Sequence, residues 1–341
     1  MQTLSEGSVA YASSGAEPSG GVSPRSTRLR GQSIIEYVLI IAVIGLVIVF
    51  AGPGMAGAIR NQFNLVGNTV NSGTTGGVEG GASGGGNTGT ASATVQAAIA
   101  KDAKDWTLDE QKAVAEDIAT KGEASPAYAK AKAAMDAGTK WSIKLTNGET
   151  LEYRIVGINH DDLADGSGKA GLTFLTTSTG IKSRMNATDT HRGGWEKSEL
   201  RAKMNSGEIW NLMPSDFQSK VKSVKKLTNN VDGSRNAAVT ATTDKLFLLS
   251  RTELDPIPPS SSLGKDSPWL LSEGFQYEAF KDELTNTDLS GNPAIANGNA
   301  WWQRSIYASG TDDFYLVNYV GFVSSCSEAS EAQVVCPAFC F

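Results

Sequence analysis

Between residues 38 and 52 the chain has no polar side chain at all, only Val, Leu, Ile, Ala, Phe and Gly. Arg25, Arg28 and Arg30 precede this run, and Gln32 opens the approach to it. Basic residues ahead of an apolar stretch keep that end in the cytoplasm. Taken as a helix, residues 32–51 span about 30 Å, enough to cross the hydrocarbon core of a bilayer. Glu36 does not suit a plain anchor. A charge in hydrocarbon costs about 2.5–3.5 kcal/mol even on the lenient insertion scale, so a glutamate retained there predicts a partner of opposite charge.

The motif Gly31-Gln32-Ser33-Ile34-Ile35-Glu36-Tyr37, behind three arginines and ahead of the apolar run, resembles the cleavage and assembly region of type IV prepilins. The Glu36-Tyr37 pair is similar to the Flp/Tad branch, the type IVb pilins and pseudopilins. The resemblance implies cleavage by a prepilin peptidase after Gly31, leaving Gln32 as the new N-terminus. It also implies that Glu36 meets the N-terminus of a neighbouring pilin subunit in a filament, with Tyr37 beside it. Flp pilins are short, whereas this chain continues to Phe341. The expectation is therefore a minor, tip or pseudopilin-like subunit, held in the membrane through residues 32–52 with the rest outside the cell. Two other readings stay open: an uncleaved anchor, and a secretory signal with Ala56-Gly57-Ala58 as a small-residue cleavage site.

Residues 1–31 are thus expected as a leader and 32–70 as a membrane and assembly helix, broken or kinked at Gly52-Pro53-Gly54. Residues 71–91, almost all Gly, Ser, Thr and Ala, read as a flexible linker. Residues 92–138 read as three short helices. Val95, Ile99 and Ala103 are four apart, Thr107 with Glu110 forms a capping box, and Ser125-Pro126 starts a third helix that Gly138 ends. Their weakly apolar faces fit either a helical stalk or the lead-in of the next domain.

From residue 139 the pattern changes. Residues 141–145 and 151–155 alternate apolar and polar around Asn147-Gly148, a hairpin signal. Residues 171–175 form another strand. Helices are expected over 194–205 and over 214–224, the latter with Phe217, Val221 and Val224 on one face. Residues 245–250 read as a buried strand leading into 251–254, and short aromatic strands close the chain. The class is α+β, and residues 139–341 are enough for a core of their own.

Gly194-Trp195, Ser198, Leu200-Arg201, Pro214, Leu248-Leu249-Ser250, Glu253-Leu254, Trp301-Trp302, Arg304-Ser305 and Pro337-Ala338-Phe339 follow one another in order. Together they resemble a functionally uncharacterised family of bacterial extracellular domains, similar in fold to C-type lectins and formylglycine-generating enzymes. The resemblance implies a loop-rich domain with a small twisted sheet and two helices, binding a surface glycan or protein through loops near its C-terminus. The segment 302–330 supplies the candidates Arg304, Tyr307, Asp312, Asp313, Tyr315, Asn318 and Tyr319. Tyrosine gives contact area at low entropic cost, and asparagine gives adaptable hydrogen bonds. Trp301, Trp302 and Phe339 read as core, and Arg304 has a structural alternative, forking to a carboxylate or to backbone carbonyls.

Other chemistry is disfavoured. Thirty Lys and Arg against 36 Asp and Glu give a net charge of −6 and no nucleic-acid signature. Two histidines, His160 and His191, are too few for a histidine-built metal site, and no catalytic role or cofactor is expected. Asp161, Asp162 and Asp165 near Gly166 and Gly168 lack the spacing and closing glutamate of a calcium loop. Asp312-Asp313 is an equally remote calcium candidate. Cys326, Cys336 and Cys340 allow one disulfide in three pairings, with one thiol over. Cys336 and Cys340 loosely resemble the paired cysteines of formylglycine-generating enzymes, which keeps an enzyme of that type as a remote alternative. A receptor anchored in the membrane without a filament is the nearer one.

Overall fold

The computed structural model describes residues 91–341 except 179, 233, 235–236, 282–283, 286–287, 290–294, 296–297 and 308. Gly31, Gln32, Glu36 and Tyr37, with the leader, the assembly helix and all of the linker but Ala91, lie outside the described residues. Among the described residues no helix is long and apolar enough to cross a membrane.

Three helices come first: α1 (Ala93–Ala100), α2 (Leu108–Lys121) and α3 (Tyr128–Asp136). The capping box expected from Thr107 and Glu110 is present, each side chain accepting from the other's backbone N–H. These helices do not form a separate stalk. Trp106 stacks on Trp141 with ring centroids 6.1 Å apart, and Trp141 Nε1 donates to the Ala103 carbonyl at 2.8 Å. Tyr153 O–H donates to Gln111 Oε1 at 3.1 Å. The helices therefore serve as the domain's own lead-in, sharing its core.

Strands β1 (Lys140–Lys144) and β2 (Thr150–Ile158) form the expected hairpin, with Gly148 at φ 87° in its turn. β3 (Leu172–Ser178) extends it. At the entry to β3, a Cβ on Gly171 would stand 1.8 Å from the Ala115 carbonyl oxygen, so helix α2 rests directly on backbone there. β4 (Lys182–Ser183) follows.

The helix expected over 194–205 is two, α4 (Gly194–Lys197) and α5 (Glu199–Asn205). Ser198 between them is extended, and its hydroxyl accepts from Arg201 N–H, so it caps the second helix. α6 (Glu208–Leu212) and α7 (Ser215–Gln218) come next. The expected helix over 214–224 thus shrinks to the single turn α7. Lys222 N–H donates to the Cys340 carbonyl, and Val224 already opens β5 (Val224–Asn229), which pairs with β6 (Val239–Asp244). Residues 246–249 are fully buried, but they are not the regular strand expected. Only Phe247 bridges, to Ala338, before Ser250 caps α8 (Arg251–Leu254) with a second capping box, to Glu253.

After α9 (Ser262–Asp266) come the short pair β7 (Leu284–Thr285) and β8 (Asp288–Leu289). The expected terminal strands follow: β9 (Trp301–Ile306), β10 (Asp313–Val317), β11 (Ser325–Glu328), β12 (Gln333–Val334) and β13 (Ala338–Cys340). There are two main sheets where one small sheet was implied. One is antiparallel in the order β1-β2-β3-β13; the other runs β11-β10-β9-β12-β4 with β9 and β12 parallel. Trp301, Trp302 and Phe339 are core, as expected. Each such side chain contributes about 1.5–3 kcal/mol by leaving water. The architecture is mixed α+β.

Candidate functional site

The segment 302–330 supplies β9, β10 and β11, and the structure separates its candidate residues into different environments. Arg304, at the middle of β9, is 0% exposed. Its Nε donates to Thr228 Oγ1 at 3.0 Å, Nη1 to the Leu248 carbonyl at 2.8 Å, and Nη2 to the Glu273 carbonyl at 2.6 Å. Both terminal nitrogens also fork to the Glu253 carboxylate. The expectation that Arg304 touches a ligand is therefore corrected in favour of its structural alternative: its donors are used internally and no solvent reaches it. Tyr315 is likewise corrected, because β10 is covered on both faces and leaves the ring 2% exposed, edge-on to Tyr307 at 5.1 Å. Tyr307 is half-buried.

Asp312 and Asp313 stand at the start of β10, near Asp189 and Glu328. Burial and the neighbouring Asp312 push the Asp313 carboxyl up, and Asp189 heads the charges that push Glu328 up. Among the described residues no group of three or more His, Cys, Asp or Glu is placed to hold a metal ion. Asn318 and Tyr319 lie beyond the opposite end of β10, at least about 17 Å along the strand from Asp313.

There the chain makes a tight tip. Asn318 Oδ1 accepts from Val320 N–H at 3.0 Å and from Phe322 N–H at 2.9 Å, and Asn318 N–H donates to the Phe322 carbonyl at 3.1 Å. Gly321, at φ 96°, closes the turn. This hydrogen-bonded frame holds three apolar side chains in water: Tyr319 is 72% exposed, Val320 59% and Phe322 36%. Another exposed aromatic, Phe275, edges a shallow cleft of about 370 Å³ with Pro256, Ile257 and Leu271. Another cleft of about 370 Å³ lies by Trp106 and Trp141, but its lysines already pair, Lys104 with Asp105 and Lys140 with Glu152.

Beneath the surface lies a group of buried charges that the sequence did not reveal. Lys226 Nζ is 2.6 Å from Asp161 Oδ1 and 2.6 Å from Glu253 Oε1. Its ammonium lies over the Phe247 ring, 4.3 Å from the centroid. Asp161 also accepts from Thr173 Oγ1 at 2.6 Å and from Tyr277 O–H at 2.8 Å. Glu273 accepts from Asn229 N–H at 2.9 Å and bonds the Ser305 hydroxyl. Burial raises the Asp161 carboxyl, but Lys226, His160 and the hydrogen bonds outweigh it and hold the group well below the usual carboxylate range. Burial likewise opposes ionisation of Glu253, and Arg304 with Lys226 overcomes it. For Glu273 burial wins and the carboxyl is pushed up to about 7.

The calcium-loop spacing at 161–168 is therefore spent elsewhere: Asp161 enters this cluster, Asp162 pairs with Lys169, and Asp165 accepts from Ser167. The cysteines are thiols in the structure. Cys326 is exposed on β11, and Cys336 is buried. Cys340 is buried against Thr173 and Asp161, and burial pushes its thiol well above the ordinary value.

The fold is mixed α+β, with two main sheets, a hydrophobic core and a buried cluster of charges. Residues 170–341 match the family described as "Domain of unknown function (DUF6273)", and the chain belongs to that family. No curated protein and no solved structure matches the chain.

Proposed function

We propose that the chain is a pilin-like surface subunit, of minor or tip type, whose head has a C-type-lectin-like architecture and binds a ligand on another surface. In this reading residues 32–70 anchor and assemble the subunit, residues 71–91 space the head from the membrane or filament, and a prepilin peptidase cuts after Gly31. The observation that carries the binding role is the tip of the β10–β11 hairpin. Tyr319, Val320 and Phe322 stand in solvent on a backbone already fixed by Asn318, so docking them orders little additional chain. Their apolar character favours a protein surface with an apolar recess. The many short helices and loops between two small sheets support the lectin-like reading of the fold.

Three measurements test this. The full chain is expressed with a prepilin peptidase and its N-terminal residue is read by mass spectrometry. Gln32 supports the pilin reading; an intact leader leaves an anchored receptor. Glu36→Ala is expected to insert in the membrane yet fail to enter a filament, and normal assembly of that variant removes the pilin reading. For the head, Tyr319→Ser is expected to lower adhesion of displaying cells to target surfaces at least tenfold. Adhesion that is unchanged for Tyr319→Ser and Phe322→Ser removes the tip as the binding site. Adhesion blocked by free saccharides makes the ligand a glycan.

A further inference from the structure

Lys226, Asp161 and Glu253 form an arrangement with a chemistry of its own. The amine nitrogen is 2.6 Å from a carboxylate oxygen on each side, and all three side chains are 3% exposed. Phe247 and Tyr277 flank the ammonium, with ring centroids 4.3 Å and 5.6 Å away. An ion pair in such a place is costly, because two charges leave water and regain only part of their solvation. In bulk water an amine and a carboxylic acid stay apart as ions. In a dry site the ions are penalised and the neutral amide is not, so burial shifts the balance toward condensation.

We propose that Lys226 and Asp161 join in an intramolecular amide bond, formed by the folded protein itself with Glu253 as proton carrier. The ammonium gives one proton to the Asp161 carboxylate, leaving a neutral amine beside a neutral carboxylic acid. The amine nitrogen forms a bond to Asp161 Cγ, giving a tetrahedral adduct with positive charge on nitrogen and negative charge on oxygen. Glu253 takes a proton from that nitrogen and passes it to the adduct's hydroxyl, which leaves as water when the C–O bond breaks. Lys226 Nζ and Asp161 Cγ are then an amide. One water has left, no oxidant is consumed, and one cation and one anion have been removed from the core.

The surroundings fit each role. Tyr277 O–H lies 3.0 and 2.8 Å from the two Asp161 oxygens, and Thr173 Oγ1 lies 2.6 Å from Oδ2. Both hydroxyls stabilise the oxygen that becomes negative in the adduct. Glu253 is the base and not the electrophile, because Arg304 and the Ser250 N–H grip its carboxylate and hold it ionised. Tertiary structure supplies the proximity that makes such a step unimolecular, although the partners lie 65 residues apart in the chain. Gly157 allows the close fit, since a Cβ there would come within 2.7 Å of the Tyr277 ring. This bond is independent of the pilin reading.

The test is the mass of the full chain purified from cells, compared with the sum of its residues from whichever N-terminus it carries. The expected deficit is one water, about 18 Da. Trypsin digestion is expected to give a branched peptide joining the segments that hold Asp161 and Lys226. Lys226→Arg and Glu253→Gln are each expected to restore the full mass, and Asp161→Asn to lose ammonia in place of water. A wild-type chain that is folded by circular dichroism, yet has the full mass and no branched peptide, overturns the proposal. So does a branched peptide that joins Lys226 to Glu253.

Discussion

At the scale of single residues, Arg304 and Tyr319 lie 15 positions apart in the sequence and behave in opposite ways. Arg304 is enclosed by Glu253, Thr228 and three backbone carbonyls. Replacing it with Met leaves Glu253 buried without its main counter-charge, a loss of about 3–5 kcal/mol. Urea unfolding of Arg304→Met measures this directly. Tyr319 is open to water. Tyr319→Ser is expected to change stability by less than about 0.5 kcal/mol while weakening binding. A large drop in its unfolding midpoint removes Tyr319 from the surface role. Both residues were candidates from sequence because Arg and Tyr suit binding loops and buried forks equally well. Only burial separates the two uses.

At the scale of elements, local signals were read well and non-local ones were not. The Thr107–Glu110 capping box and the hairpin around Gly148 depend on residues within a few positions of each other, and both form. Thr107→Ala is expected to cost about 1 kcal/mol, read by thermal denaturation, because the Glu110 N–H loses its acceptor. The helix expected over 214–224 fails for a tertiary reason. Phe217, Val221 and Val224 have helical spacing, but Lys222 pairs with the Cys340 carbonyl and Val224 pairs with Asp244, so the chain leaves the helix after one turn. Gly171 shows how closely α2 and the sheet approach. Gly171→Ala forces a Cβ into the Ala115 carbonyl and is expected to cost about 1–3 kcal/mol. A neutral result in chemical unfolding would mean that α2 shifts freely on the sheet.

At the scale of the whole molecule, the buried cluster ties stability to pH in two directions. Glu273 is raised from 4.5 to about 7, so its contribution is complete below 4.5 and is lost as pH rises through 7. For one fully buried group the swing is about 3 kcal/mol. Glu253 is lowered, against the cost of burial, chiefly by Arg304, so its contribution is present above the ordinary carboxylate range and is lost as pH falls below it. The domain is therefore expected to be most stable in mild acid. Urea midpoints between pH 4 and 8 check this, and Glu273→Gln is expected to flatten the fall toward pH 8. The sequence alone determined the α+β class of the described residues. It also determined the capped helix, the first hairpin and the Trp301-Trp302 core, because composition and short-range spacing act along the chain. It did not reveal that Asp161, Lys226, Glu253, Glu273 and Arg304 meet, nor that Asn318 presents Tyr319 while β10 buries Tyr315. Those outcomes depend on which strands pair and which faces are covered. A charged side chain has the same signature in a sequence whether water or another charge surrounds it.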